Sequence, residues 1–419
     1  MNIERFKTID LGKLLKIDLR QLTWLPCIMI LTVVINTSLN INELELQALS
    51  YMVLALVLLS FVIMSFLYLK KRYITWFTFI IIAFQFLLLT STLINGNDIK
   101  RAIYQGCSVI FIVMVCDHFK NRFHLVIGGF AIAFSICAYL NFLHLITHPE
   151  LWIVDNLKSS QGYLLGGNYN QMGCRLICAV GTSVVCLKYS KWWILNVIPV
   201  ILVSVVTLGI VGSMTSLTGI MLFLIFCLIP SRKLLKIGIA SLIGFVIFFQ
   251  ITVCFQGKGI EKNPLAVYFI EDVLGKDITF TNRTYLWDAA AKVVIESPIY
   301  GYGIVDGDWY YSHMSTYAKG PHNFIWELLV FGGILLLAFF SYICFKAFLK
   351  LPSTDDRHIL LIYAVIAVLF LMMTMEAYPL PFIFCLLSLA FFAPRSPSLN
   401  LIEENNDNES MKPIMQTTT

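Results

Sequence analysis

Two residues in the last third of the chain have types and settings suited to moving a proton and holding an anion. His322 follows Gly320 and Pro321 and precedes a long apolar run, so it stands where the chain enters a helix. With Gly320 as cap and Pro321 at the first helical position, the positive helix end disfavours imidazolium, and a neutral imidazole can take a proton from a hydroxyl as general base. A purely structural hydrogen bond is the alternative. Arg283 lies in TNRTYLWDAAAKVVIESP, which reads as one helix with Thr281 or Asn282 as cap, alanines in its middle and Pro298 as its stop. An arginine in a first turn adds a guanidinium fork to unsatisfied N–H groups, a combination that meets phosphate oxygens, although a surface helix would show the same residue. The i, i+4 spacing sets Arg283 beside Trp287, and Asp288, Lys292 and Glu296 in a ladder of charge pairs.

IYGYGIVDGDWYYSHMSTYAKGPHN follows. Gly301, Gly303 and Gly307 make turns, and Tyr300, Tyr302, Trp309, Tyr310, Tyr311 and Tyr317 offer flat faces that suit sugar rings or, equally, a belt at the lipid headgroups. Asp306 and Asp308 form a DGD that mimics a metal-binding DxD, but two acids in a glycine turn are common, and no metal site is expected. Arg175 and Glu327 fall inside apolar runs, where ionisable groups are functional candidates by default. Arg175 is about one and a half turns beyond Asn170 in GNYNQMGCRL, so it either faces the same vestibule or neutralises Glu327 or Glu376 across a helix bundle.

The elements that must position these residues are membrane helices. Of 419 residues, 58% are hydrophobic and 13% charged, against about 25% charged in soluble domains, which excludes a water-soluble globule. Mean hydropathy is +0.79, and the apolar residues form runs long enough to cross about 30 Å of hydrocarbon. The expected fold is all-α, with about twelve transmembrane helices near 22–38, 48–69, 73–94, 102–116, 123–146, 170–187, 192–210, 216–230, 234–255, 323–345, 359–375 and 380–394. Lys and Arg concentrate on the side of the N-terminus, so both termini are expected in the cytoplasm by the positive-inside rule. The net charge of +5 serves orientation and leaves no basic stripe for nucleic acid. The expected organisation is a cytoplasmic segment 1–21, with Arg5, Lys7, Lys13, Lys16 and Arg20, then nine helices over 22–255. A large outer loop over 256–321, three helices over 322–394 and a disordered tail over 395–419 complete it. Function is sought in the outer loop. The 11 cysteines lie in or beside apolar runs without metal spacing and read as small core residues.

RTYLWDAAAKVVIESPIYGYG followed by PHNFIWELLVFGGI resembles the C-terminal block of the O-antigen ligase and Wzy-type polymerase superfamily. The resemblance rests on Arg283 and Trp287, on Pro298, Gly301 and Gly303, and on the pair His322 and Asn323. GNYNQMG (167–173) is similar to the family's upstream Gly-x-x-Asn. The chain departs from the family where many members carry a Ser-Arg pair, because Ser213 is followed by Met214. The resemblance implies a metal-independent GT-C-type glycosyltransferase of the bacterial inner membrane without a cofactor, and no GxxxxGK[ST] is present. Its donor would be an undecaprenyl-pyrophosphate-linked oligosaccharide, and its partners the lipid bilayer, a chain-length regulator and a flippase of the same pathway. In that reading Arg283, with Arg175 or with Ser213 and Ser216, holds the pyrophosphate and His322 takes the proton. Asn170, Asn323, Trp287 and Tyr302 bind or orient substrate. A surface-polysaccharide polymerase (O-antigen, capsule or exopolysaccharide) is favoured over a ligase to lipid A core. A flippase or other transporter stays open, as does a polyprenyl-monophosphate enzyme using Glu43 and Glu45.

Overall fold

A computed structural model describes residues 24–40, 47–70, 74–153, 163–166, 168–273, 277–315 and 319–394. The N-terminal segment 1–21, Glu43, Glu45, Gly167, Tyr317 and the tail 395–419 lie outside the described residues. Within them all regular structure is helical. Nine apolar helices precede the long loop: α1 (Leu25–Ser38), α2 (Gln47–Leu69), α3 (Trp76–Asn95), α4 (Ile99–His118), α5 (Phe123–Thr147), α6 (Met172–Cys186), α7 (Ile194–Val211), α8 (Met214–Leu228) and α9 (Arg232–Phe249). The loop contributes α10 (Arg283–Glu296) and α11 (Gly307–His313), and the chain continues through α12 (Phe324–Phe348), α13 (Arg357–Met373) and α14 (Leu380–Phe392).

Each of the twelve apolar runs is a helix, and seven are long and apolar enough to cross a membrane. The protein is a polytopic helical membrane protein. The other five, α1, α6, α8, α13 and α14, have 13 to 17 residues. A helix of 15 residues is about 22 Å long, short of a full hydrocarbon crossing. α6 is buried at every position and α14 at all but Phe391, so protein rather than lipid surrounds these two. All 11 cysteines are free, and seven of them are buried.

α12 is interrupted at Gly332 (φ −148°, ψ 19°) and Gly333 (φ 61°, ψ −160°). Such a break orphans the last carbonyls of the first half and the first N–H groups of the second, which is unfavourable away from water. Residues 298–303 of the loop supply the missing partners. Tyr302 N donates to Val330 O and Gly303 N to Phe331 O, both at 2.8 Å, while Ile334 N donates to Pro298 O at 2.8 Å and Leu335 N to Ile299 O at 3.5 Å. α3 holds the segment from its other side, through Ser91 Oγ to Tyr300 O (2.7 Å), Asn95 Nδ2 to Gly301 O (3.3 Å) and Asn97 Nδ2 to Tyr302 O (2.6 Å). Gly301 adopts φ 59°, and a Cβ there would lie 2.5 Å from Val330 O. Both facts demand glycine.

α10 packs on the first half of α12 through a small apolar cluster that includes Trp287, Cys254, Ile260, Trp326 and Leu329. The expected charge ladder on α10 is corrected, because Asp288 Oδ1 accepts from Lys258 N at 3.1 Å. It thereby fastens the loop after α9 to α10.

Candidate active site

His322 is not in the first turn of a helix. Asn323 is the N-cap of α12, its Oδ1 accepting from Trp326 N at 3.0 Å, so the expected Gly320 cap and Pro321 start are overturned. His322 precedes the cap in a left-handed conformation, φ 48°, which is uncommon for a residue with a β-carbon. Its Nδ1 lies 3.0 Å from Oε1 and 3.0 Å from Oε2 of Glu376. The His322 side chain is 27% exposed and that of Glu376 4%. Nε2 has no protein partner among the described residues.

Burial acts most strongly on this imidazole and favours its neutral form, but the charge and hydrogen bond of Glu376 together outweigh it, so His322 sits above its ordinary pKa. The expectation of a helix end disfavouring imidazolium is therefore corrected. Two further charges bear on the ring: Arg283 opposes its protonation and Glu327 favours it. Arg283, His322, Glu327 and Glu376 thus form one electrostatic group. Arg283 is the first residue of α10, but neither Thr281 nor Asn282 caps the helix with its side chain. Asn282 has φ 65° and makes no side-chain cap bond, and Thr279 accepts instead, at Oγ1 from Asn282 N (3.1 Å) and at its carbonyl from Thr284 N (3.2 Å). The guanidinium donates from Nη1 to Phe280 O at 3.3 Å, and its buried Nε has no partner.

Behind the His322–Glu376 pair, Asn170 ties three elements together. Its Oδ1 accepts from Ser213 Oγ (3.1 Å), and its carbonyl accepts from Ser216 Oγ (3.2 Å) and Tyr378 Oη (3.5 Å). Burial pushes the Tyr378 phenol well above its ordinary value, so it remains a donor. Gln171 Nε2 donates to Ala377 O at 3.2 Å, beside Glu376. Ser213 and Ser216 are fully buried and bond to each other at 3.0 Å, so their hydroxyls are engaged inside the protein.

Arg175 is 6% exposed. Its Nη1 donates to Gln171 O at 3.0 Å and its guanidinium stacks on Phe382 at 4.9 Å, but Nε has no partner and no carboxylate among the described residues pairs with it. Neither Glu376 nor Glu327 forms an ion pair with it, and Glu376 is paired with His322. Three other expected substrate residues are spent internally. Asn323 is fully buried and donates to Gln250 Oε1 and to Thr374 O, each at 2.9 Å. Trp287 is fully buried against Phe280. Tyr302 donates from Oη toward Val293 O and Glu296 Oε2, both at 3.3 Å, and packs on Trp309. His313 in turn stacks on Trp309 at 4.3 Å. Asp306 caps α11 by accepting from Trp309 N at 2.8 Å. Among the described residues no three His, Cys, Asp or Glu side chains are arranged to hold a metal.

Sequence reasoning missed Glu376 as the histidine's partner, and it missed Gln171 and Tyr378. The available signal was that Glu376 is the single carboxylate in the apolar stretch 358–394.

No curated protein matches the chain, and no solved structure does. Residues 173–341 match a family model described as O-Antigen ligase. That stretch includes Arg175, Ser213, Arg283, Glu327, His322 and the break in α12, and it excludes Asn170 and Glu376. Over that stretch, less than half of the chain, the sequence is similar to the O-antigen ligase family, which supports a polysaccharide-related glycan ligase or polymerase role.

Proposed function

We propose that the protein polymerises undecaprenyl-pyrophosphate-linked oligosaccharide repeat units into a surface polysaccharide at the outer face of the cytoplasmic membrane. The observation that carries this reading is His322, locked through Nδ1 by Glu376 with Nε2 unengaged, inside the electrostatic field of Arg283. Transfer of a sugar from a pyrophosphate requires a base for the incoming hydroxyl and positive charge on the leaving group. The acceptor hydroxyl gives its proton to His322 Nε2 while Nδ1–H stays on Glu376. The hydroxyl oxygen bonds the anomeric carbon as the bond from that carbon to the pyrophosphate oxygen breaks. The electron pair leaves on undecaprenyl pyrophosphate, where Arg283 meets the charge. Arg175, a buried cation without a carboxylate partner among the described residues, is the second contact to the pyrophosphate, since an unbalanced buried charge is retained only where an anion repays it. The scheme uses no metal ion and no nucleotide cofactor.

An apolar cavity of about 490 Å³ between α9, α12 and α13 supports the lipid part of this reading. Its lining includes Gln250 and Thr374, the two residues that Asn323 holds beside His322, so a polyprenyl chain lying there would present its pyrophosphate to the site. A second reading, transfer of finished glycan to lipid A core, is favoured by the description of the matching family model.

The test is the length distribution of surface polysaccharide, by gel, in a null strain complemented with wild type, His322→Ala or Arg283→Ala at matched expression. Single-repeat material still attached to its acceptor in the null and both variants is the expected result. Long chains accumulating unattached on the lipid carrier would instead identify the ligase. Wild-type ladders from both variants would return the transporter reading.

A further inference from the structure

At the end of the bundle away from His322, α3, α12 and α14 enclose a groove of about 450 Å³. One end is apolar, lined by Phe77, Ile80 and Ile343, and the other carries Lys346, Lys350 and Ser353, with no acidic residue in the lining. At its mouth Trp76 Nε1 donates to Tyr342 Oη at 3.2 Å, and Trp76 is 62% exposed. Lys346 Nζ sits 5.2 Å over the Tyr342 ring, and no carboxylate among the described residues pairs with it. Lys350 lies 3.6 Å over the Phe391 ring and donates to the Phe391 carbonyl, which fixes its ammonium at the groove wall.

An occupant must therefore be amphipathic, with an apolar part for the phenylalanine end and an anionic head for the lysines. Paired Trp and Tyr side chains at that junction mark the headgroup level of a bilayer, and basic pockets between membrane helices on the cytoplasmic side hold anionic headgroups. The lysine and arginine bias assigns this end of the bundle to the cytoplasmic leaflet. We infer that the groove between α3, α12 and α14 binds an anionic glycerophospholipid of that leaflet, its phosphate between Lys346 and Lys350 and one acyl chain along Ile80 and Ile343. The site is remote from His322 and independent of the glycan-transfer reading.

The test uses the full chain, purified in detergent and stripped of lipid, with native mass spectrometry and thermal unfolding in the presence of phosphatidylglycerol, phosphatidylcholine or inorganic phosphate. Phosphatidylglycerol is expected to be retained over phosphatidylcholine and to raise the melting temperature. Lys346→Gln should weaken that retention about fivefold, Lys346→Arg should restore it, and Ile80→Trp should block it by filling the apolar end. Should Lys346→Gln not fold, Ile80→Trp and the comparison of the two lipids decide. Equal retention of both lipids, unchanged retention in the variants, or equal stabilisation by inorganic phosphate alone would overturn the proposal.

Discussion

His322 Nδ1 lies equidistant, at 3.0 Å, from the two oxygens of Glu376, a residue 54 positions further along the chain. One imidazole nitrogen is thereby committed to a buried carboxylate, the ring is oriented, and the basic lone pair of the neutral form is placed on Nε2. This is the arrangement in which a carboxylate selects a tautomer and stabilises the imidazolium that forms.

The pH dependence of glycan transfer follows from that pair. If His322 is the base, activity needs the neutral ring, and since Glu376 holds His322 above its ordinary value, the rate should rise with pH through a midpoint above about 6.5. In Glu376→Gln the main raising influence disappears and only the smaller one of Glu327 is left, while burial and Arg283, which favour the neutral form, remain. The midpoint should then fall below about 6.5 and the plateau should drop, because the tautomer is no longer enforced. A rate profile on purified protein that keeps its midpoint would show that Glu376 does not govern the base. His322→Ala should lower the plateau about 10²- to 10⁴-fold.

Arg283→Ala should reduce transfer about 10²- to 10³-fold, and Arg283→Lys should recover only part of it, since an ammonium cannot reproduce the guanidinium fork. Single-turnover assays at saturating donor measure this directly. Equal rates for the lysine variant and wild type would remove the geometric role of the fork.

Arg175→Met separates function from fold. Replacing a buried, unpaired charge by an apolar side chain of similar volume should leave the melting temperature unchanged or raise it. If Arg175 contacts the pyrophosphate, the KM for the lipid-linked donor should rise about tenfold or more. An unchanged KM would take Arg175 out of the site.

Asn323→Ala tests the opposite assignment. The side chain caps α12 and bonds both Gln250 and Thr374, so its loss should destabilise the protein by about 2 to 4 kcal/mol, from the missing cap and the orphaned buried partners. Thermal unfolding should show a lower melting temperature. A variant of wild-type stability with a raised KM would mean that Asn323 meets substrate after all.

Gly301→Ala should strain the junction between loop and α12 twice, through its left-handed backbone and through a Cβ 2.5 Å from Val330 O. A loss of folded yield together with lower activity is expected, measured by size-exclusion chromatography and by the gel assay. Full yield would show that the segment 298–303 can rearrange.

Hydropathy located all twelve apolar helices because burial and lipid both select the same residue types. It overstated the lengths of α1, α6 and α14, since apolarity does not distinguish a helix facing lipid from one such as α6, enclosed by other helices. Arg283 and His322 were legible because a charge and an imidazole beside apolar runs are conspicuous. Glu376 was visible only as a lone carboxylate, for its meaning depends on a contact between the start of α12 and the end of α13 that no local pattern encodes. Trp287, Asn323 and Tyr302 show the ambiguity of such signals, since the residue types that recognise sugars are also those that cap helices and fill a core, as these do here.

The break at Gly332 and Gly333 makes residues 324–331 a short rigid arm. One end carries His322, and the other is clasped by the same loop that bears Arg283. The imidazole and the arginine are therefore held in one frame, because residues 298–303 of the loop bond to both sides of the break in α12. The loop is for the same reason no detachable cassette. A chimaera that grafts a relative's residues 256–321 onto this chain has to bring matching residues at the break, or the grafted arginine and the resident histidine will no longer share one frame.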